Sequence, residues 1–224
     1  MSTTLDGNRL IGARLDSFAA AYGFLSRLFL APADADLCAR LTEPGLLDEW
    51  PLERDAATTE GLRLLGSAVG AGGIEPTADP TALNRDYQAL FVGPGHLLAT
   101  PYESVYRTVD RLLFDEPTLQ VRATYRAFGL EAPRLNREPD DHLGLELNFL
   151  SNLCLRGLDA LSQDDGPMLD SIFAAHATFL TDHVLAWAPE CLDLVAEHAR
   201  TDFYRGVAAL TRGALEQAKA SFVG

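Results

Sequence analysis

The sequence predicts an all-α protein, a single-domain helical bundle of about eight or more helices. Apolar residues recur at a spacing near 3.6 along almost the whole chain, whereas alternating runs of β-branched residues are absent. With 224 residues, of which 47% are apolar and 22% charged, the chain has the size and composition of one globular domain. We therefore expect one domain over 1–224, with a looser part over 1–92, a more regular part over 116–224 and a joining loop over 93–115.

Four helices are expected in the first half of the chain. The first covers 10–30, where apolar residues lie three to five apart, and Pro32 ends it. Shorter periodic segments follow at 34–42 and 58–70. The linker GAGGIEPTADP then precedes a helix over 83–92. The next stretch, GPGHLLATPYESVY, contains two Gly and two Pro, so it is expected to be an ordered loop of the length that often carries function.

The second half is expected to be more regularly helical. Periodic segments cover 116–129, 140–162, 167–187 and 196–221. The turn DALSQDDGP separates the second of these helices from the third. This alternation of long helices and short turns is typical of a bundle.

Membrane and secretory classes are not indicated. The longest apolar run, SFAAAYGFLSRLFLA, contains Arg27 and is too short to cross a bilayer. The N-terminus has no basic segment followed by an unbroken apolar one, so a cytoplasmic location is expected. Cys38, Cys154 and Cys191 are odd in number and widely separated, which indicates reduced thiols, mostly in the core.

The charge balance bears on the kind of partner. The formal net charge is −14, and Lys219 is the only lysine among 18 basic residues. The negative electrostatic potential of such a chain repels phosphate backbones, so nucleic acid is not an expected partner, whereas a basic peptide would be attracted. The same charge also serves solubility, and the composition leaves both interpretations open.

Two aromatic segments are candidate binding elements. Tyr87, Leu90 and Phe91 share one helix face, which fits either a core stripe or a groove for a partner helix. In TPYESVY, Pro101 is followed by Tyr102 and Ser104, then by Val105 and Tyr106. This segment fits either a turn packed by its own aromatics or a recognition loop.

The acidic motif EPDDH admits several interpretations. Glu138, Asp140 and Asp141 flank Pro139 as carboxylates do at a helix start, so we expect Asp141 to be partly exposed there. Asp141 and His142, with Glu146 one turn further on, also fit an acid/base pair or a metal site.

Signatures of an enzyme are nevertheless weak. The H-E-x-x-H order is absent, and so are a G-x-S-x-G elbow, a phosphate-binding loop and a G-x-G-x-x-G motif. No metal or cofactor is therefore expected.

Taken in order, YQALFVGPG, PYESVY, EPDDH, FLTDHVLAW and FYRGVAAL resemble the TorD/DmsD family of cytoplasmic redox enzyme maturation chaperones, to which NarJ-type chaperones are related. The likeness runs from about Tyr87 to Leu210. It implies a TorD-like helical fold without enzymatic activity. It also implies binding of the twin-arginine signal peptide, or of the apo form, of a molybdenum-cofactor oxidoreductase, so that Tat export waits for cofactor insertion.

The family motifs match this chain at Tyr87, Leu90 and Phe91, and again at Glu138, Pro139, Asp141 and His142. Two departures stand out. Asp140 is one carboxylate more than the minimal acidic-Pro-Asp-His pattern, and Tyr102-Glu103 stands where relatives often have Trp-Gly.

A receptor for a peptide with a basic head and an apolar body needs carboxylates beside an apolar groove. Glu138, Asp140 and Asp141 are candidates for the carboxylates. Phe91, Tyr102, Val105 and Tyr106 are candidates for the groove, which we expect the loop and the acidic motif to line together. A small metal- or nucleotide-dependent hydrolase using Asp141, His142 and Glu146, and an assembly factor that binds only folded protein, are the alternatives. Either a monomer or a dimer is compatible with the sequence.

Overall fold

The computed structural model describes residues 2–95, 97–110, 112–133 and 138–224, and for 2–6 the backbone alone. Its α-helices, in chain order, are α1 Ser2–Leu30, α2 Ala35–Leu41, α3 Ala56–Val69, α4 Pro80–Tyr87, α5 Glu103–Arg107, α6 Glu116–Ala127, α7 Leu143–Ser162, α8 Gly166–Phe179, α9 Leu185–His198 and α10 Asp202–Ala218. The prediction of an all-α bundle is confirmed. Within these ranges the only strand-like pairing is an isolated β-bridge between Tyr102 and His142.

The bundle is built from helices that are distant in sequence. The long helix α1 packs along α7, and α3 packs along α10. The second pair approaches closely because both helices have glycine at the contact: a Cβ on Gly206 would lie 2.8 Å from the carbonyl oxygen of Gly61. Helices from both ends of the chain therefore share one core, which is why the chain forms a single helical domain.

The predicted helix over 167–187 is in fact two helices. α8 ends at Phe179, a π-helical turn follows over Leu180–Val184, and α9 continues from Leu185 to His198. Pro189 lies inside α9, where it supplies no amide hydrogen to the helix. None of the helices in the described part of the chain combines the length and the hydropathy needed to cross a membrane.

The last predicted helix, over 196–221, begins later than expected. Ala199 and Thr201 have extended backbones, and α10 begins at Asp202. The buried carboxylate of Asp86 accepts hydrogen bonds from the amides of Arg200 at 3.1 Å and Thr201 at 2.8 Å. A carboxylate more than a hundred residues away in sequence therefore satisfies the amides at this break.

The helix predicted over 140–162 begins at Leu143, with His142 as its N-cap. Pro139, Asp140 and Asp141 precede the helix, so the predicted start at residue 140 is three residues too early. Within the predicted loop 93–115 the structure adds the short helix α5. His96, Arg111 and 134–137 lie outside the described residues.

Candidate functional site

The loop around Tyr102 and the acidic motif are joined by backbone pairing. The amide of Glu103 donates to the carbonyl oxygen of Asp141 at 2.9 Å, and the amide of Leu143 donates to that of Pro101 at 2.9 Å. The rings of Tyr102 and His142 meet edge to face, with centroids 5.1 Å apart and planes at 85°. Two segments that are 40 residues apart in sequence thus form one structural unit.

Asp141 lies inside this unit and not on the surface. Its side chain is 0% exposed. One carboxylate oxygen accepts the amide hydrogen of Ser104 at 2.7 Å, and the other accepts the hydroxyl hydrogen of Thr118 at 2.8 Å. The expectation that Asp141 is partly exposed is wrong, because the carboxylate connects the starts of α5 and α6 from within.

Asp140 is also buried, with 0% exposure. Its Oδ2 accepts from Arg122 Nε at 2.9 Å and Nη2 at 2.6 Å, and its carbonyl oxygen accepts from the Tyr125 hydroxyl at 3.2 Å. Arg122 neutralises this carboxylate within the protein. Asp140 therefore holds α6 against the acidic motif and does not face solvent.

His142 is the N-cap of α7 and is half-buried. Its Nδ1 accepts the amide hydrogen of Gly144 at 3.0 Å. Burial lowers the pKa of His142 to about 4, so the ring is neutral near pH 7. Because Nδ1 is the acceptor, the proton of the neutral ring is on Nε2, which leaves a donor for another group.

The accessible part of the unit consists of Tyr102, Val105, Tyr106, Glu138 and His142, which we call the Tyr102–His142 surface. Glu138 is exposed, and the other four are half-buried. Burial raises the pKa of Tyr102, and the nearby Glu138 and Asp141 carboxylates raise it further. The exposed Glu138 therefore adds a negative charge to the aromatic and apolar groups of this surface.

A buried polar cluster supports this surface from below. Glu103 is 0% exposed and pairs with Arg107 and with Nδ1 of His183, the latter at 3.0 Å. Arg107 also donates to the carbonyl oxygen of Asp182 at 2.7 Å. These contacts fasten α5 to the π-helical turn between α8 and α9.

Glu146 completes the cluster. Its buried side chain accepts a hydrogen bond at Oε2 from Trp187 Nε1 at 3.1 Å. Burial, and then the charges of Glu103 and Asp141, raise the pKa of Glu146 well above its usual value, which favours its protonated form. Sequence reasoning missed the roles of Glu103, His183 and Trp187, and no local pattern distinguishes these residues from ordinary helix positions.

The remaining predicted site residues are in the interior. Tyr87, Leu90 and Phe91 are at most 5% exposed. The hydroxyl of Tyr87 donates to the carbonyl oxygen of Phe29 at 2.9 Å. The rings of Tyr87 and Phe91 pack edge to face with centroids 5.3 Å apart. Of the two interpretations of this stripe, the structure shows a core stripe. Pro101 and Ser104 are buried as well.

The chain is a helical bundle, and its sequence is similar to those of proteins named as chaperones. The chain belongs to the nitrate reductase delta subunit family, whose model matches residues 53–193. It is 26% identical over 212 residues to the Tat proofreading chaperone DmsD of Salmonella typhi, covering 93% of this chain and 92% of that protein. It is 28% identical over 209 residues to the chaperone protein TorD of Vibrio cholerae, covering 90% of each.

This chain also matches a crystal structure from Archaeoglobus fulgidus that is assigned to the redox enzyme maturation proteins. The match covers 89% of this chain and 93% of the other chain. The TM-score is 0.49 and the sequence identity 20%, and we draw nothing on function from a likeness at this level.

These relatives are named as chaperones, so the prediction that the chain is not an enzyme is confirmed and the hydrolase alternative finds no support. The geometry agrees, because Asp141, His142 and Glu146 each hold a separate structural partner. In the described part of the chain, His, Cys, Asp and Glu side chains form no group of three or more that is arranged for a metal ion.

Proposed function

We propose that this protein is a cytoplasmic, system-specific chaperone for a molybdenum-cofactor oxidoreductase. It binds the twin-arginine signal peptide or the apo form of the catalytic subunit, assists cofactor insertion and delays Tat export. The names of its relatives support the chaperone role. The observation that carries the peptide-binding role is the pairing of Tyr102 with His142, whose segment also includes the exposed residue Glu138.

The Tyr102–His142 surface has the chemistry that a basic peptide head requires. A guanidinium group can form charge-assisted hydrogen bonds with Glu138 and lie against the Tyr102 ring. Neutral His142 adds an Nε2–H donor for a peptide carbonyl. Asp140 and Asp141 act differently from the initial expectation: as buried groups they position this surface and do not touch the peptide.

Calorimetric titration tests the proposal with a peptide that has a twin-arginine head and an apolar body. We expect a micromolar or tighter Kd, about −8 kcal/mol or better. A peptide with both arginines changed to Gln should bind more weakly. Glu138→Gln and Tyr102→Ala should each weaken binding, and their double-mutant cycle should show a coupling of roughly 0.5 kcal/mol or more because both residues contact one ligand.

Glu43→Gln is the matched control, since it removes the same charge from an exposed residue just after α2. It should bind as the wild type does. Equal affinity for the two peptides, or equal effects of Glu43→Gln and Glu138→Gln, would contradict recognition of the basic head at this surface.

The alternative of an assembly factor that binds only folded protein makes a different prediction. Such a factor would capture an apo-enzyme lacking its signal peptide as well as it captures the full precursor. We expect the precursor to be captured preferentially in paired pull-downs with purified proteins. We also expect chelator treatment to leave helical content and peptide binding unchanged.

A further inference from the structure

A second surface feature lies just beyond α5. Between Val109 and Leu119 the chain exposes a concentration of large apolar side chains, which we call the 109–119 patch. Their exposed fractions are Val109 100%, Leu112 59%, Leu113 45%, Phe114 48% and Leu119 57%. Single exposed apolar residues are ordinary, but several in one short segment mark an interaction site.

The backbone of the patch is held in an unusual conformation. Phe114 has φ 63°, in the left-handed region that non-glycine residues seldom adopt. Asp115 follows as the N-cap of α6, with its carboxylate accepting the amide hydrogen of Glu116 at 2.8 Å. Further along α6, the Thr118 hydroxyl donates to Asp141. The patch is therefore anchored to the acidic motif that positions the Tyr102–His142 surface.

Acidic residues outnumber basic ones around the patch. In sequence, Asp110 and Arg111 precede the apolar run that ends at Phe114, and Asp115 and Glu116 follow it. Val109 lines the same shallow depression as Arg107, Asp115 and Glu116. A second copy of this chain, with a net charge of −14, would place carboxylates opposite carboxylates. An apolar segment flanked by basic residues is the partner that this combination favours.

The short helix α5 connects the Tyr102–His142 surface to the patch along the chain. Five helical residues, Glu103–Arg107, separate Tyr102 from the segment that leads to Val109. At 1.5 Å per helical residue this is a distance on the order of 10 Å. About three extended peptide residues cover that distance. One short peptide is long enough to reach both surfaces.

We propose that the 109–119 patch binds the apolar body of the signal peptide while the Tyr102–His142 surface binds its basic head. This inference rests on the proposed function and assigns the apolar contact to residues outside the family motifs. Asp110, Asp115 and Glu116 then attract basic residues that flank the apolar body.

The test is a comparison of two double variants by calorimetry. Leu112→Ser with Phe114→Ser removes apolar surface from the patch. Leu155→Ser with Met168→Ser removes comparable surface from α7 and α8, where these residues are 48% and 50% exposed. We expect the patch variant to bind the peptide at least tenfold more weakly and the control to bind as the wild type does.

A second peptide, with the twin-arginine head intact and the leucines of its body changed to Ser, makes the assignment specific. The patch variant and the wild type should bind this peptide equally, since the peptide no longer carries the leucines that would contact the patch. Thermal melts check folding. If the double variant does not fold, Leu119→Ser replaces it in the test. This single change on the surface of α6 should reduce the affinity for the peptide about threefold.

The outcomes separate this inference from the proposed function. If the wild type binds neither peptide, the proposed function fails. If the wild type binds and the patch variant matches the control, the function stands and the patch assignment is overturned. Sedimentation that shows the patch variant dissociating a dimer, with unchanged peptide affinity, would overturn it too, because the patch would then be a contact between copies of this chain.

Discussion

Replacing Asp141 with Ala should destabilise the protein far more than removal of an exposed helix cap does. Asp141 is fully buried and accepts hydrogen bonds from the Ser104 amide at 2.7 Å and the Thr118 hydroxyl at 2.8 Å. Both donors belong to residues that are themselves 0% exposed. Asp141→Ala leaves two buried donors without their acceptor, and each such loss costs about 1 to 3 kcal/mol.

The free energy of unfolding should therefore fall by roughly 3 kcal/mol or more in Asp141→Ala. Asp141→Asn should lose only about 1 kcal/mol. Its amide oxygen can accept from the Ser104 amide, and its NH₂ group can donate to the Thr118 oxygen once that hydroxyl turns.

Thermal and urea denaturation measure these differences. For a domain of this size, 1 kcal/mol shifts Tm by about 2 to 4 °C, so Asp141→Ala should melt roughly 6 to 12 °C lower. Asp79→Ala is the control, since this exposed N-cap of α4 accepts the Ala82 amide at 2.7 Å and should lose about 0.5 to 2 kcal/mol. An Ala variant at position 141 as stable as its Asn counterpart would refute the reasoning.

Two further predictions concern the bundle. Gly206→Ala should destabilise the protein by about 1 to 3 kcal/mol, since its Cβ would lie 2.8 Å from the Gly61 carbonyl oxygen. Gly12→Ala should instead stabilise α1 by about 0.5 to 1 kcal/mol, because the nearest described neighbour of its Cβ would be 3.8 Å away. Urea denaturation measures both effects, and equal effects would contradict the close approach of α3 and α10. His176 is 1% exposed, and its ring stacks on Phe222 with centroids 3.8 Å apart. Among the described residues neither of its ring nitrogens has a hydrogen-bond partner, and burial lowers its pKa to about 3. Because the unfolded chain takes up this proton near pH 6.5 and the folded one does not, His176 lowers stability as pH falls from about 6.5 to 3, so His176→Phe should flatten that part of the stability profile; an unchanged profile would contradict a neutral, buried ring.

The buried polar groups show where sequence reasoning stops. The sequence places Asp140 and Asp141 at a helix start, where a carboxylate is ordinarily solvated, so partial exposure of Asp141 was expected. Their partners, Arg122, Thr118 and Ser104, come from other segments. No spacing rule connects those positions to the acidic motif.

The predicted starts of two helices are wrong for a related reason. The start of α7 moved from residue 140 to 143 because Asp140 and Asp141 bond inward and His142 takes the cap. The start of α10 moved to residue 202 because Asp86 holds the preceding amides. In both cases a tertiary hydrogen bond decided between conformations that the local sequence permits equally.

The sequence by itself determined the all-α fold, because a period near 3.6 is a property of neighbouring residues. It also determined the family, through short motifs in a fixed order. Only the tertiary structure decided which motif residues reach the surface. Tyr87 and Phe91 pack in the core, and Asp141 is enclosed by α5 and α6, whereas Tyr102 and His142 remain accessible. The physical reason is that burial depends on what packs against a residue, and in this bundle the packing partners are dozens of residues away in the chain.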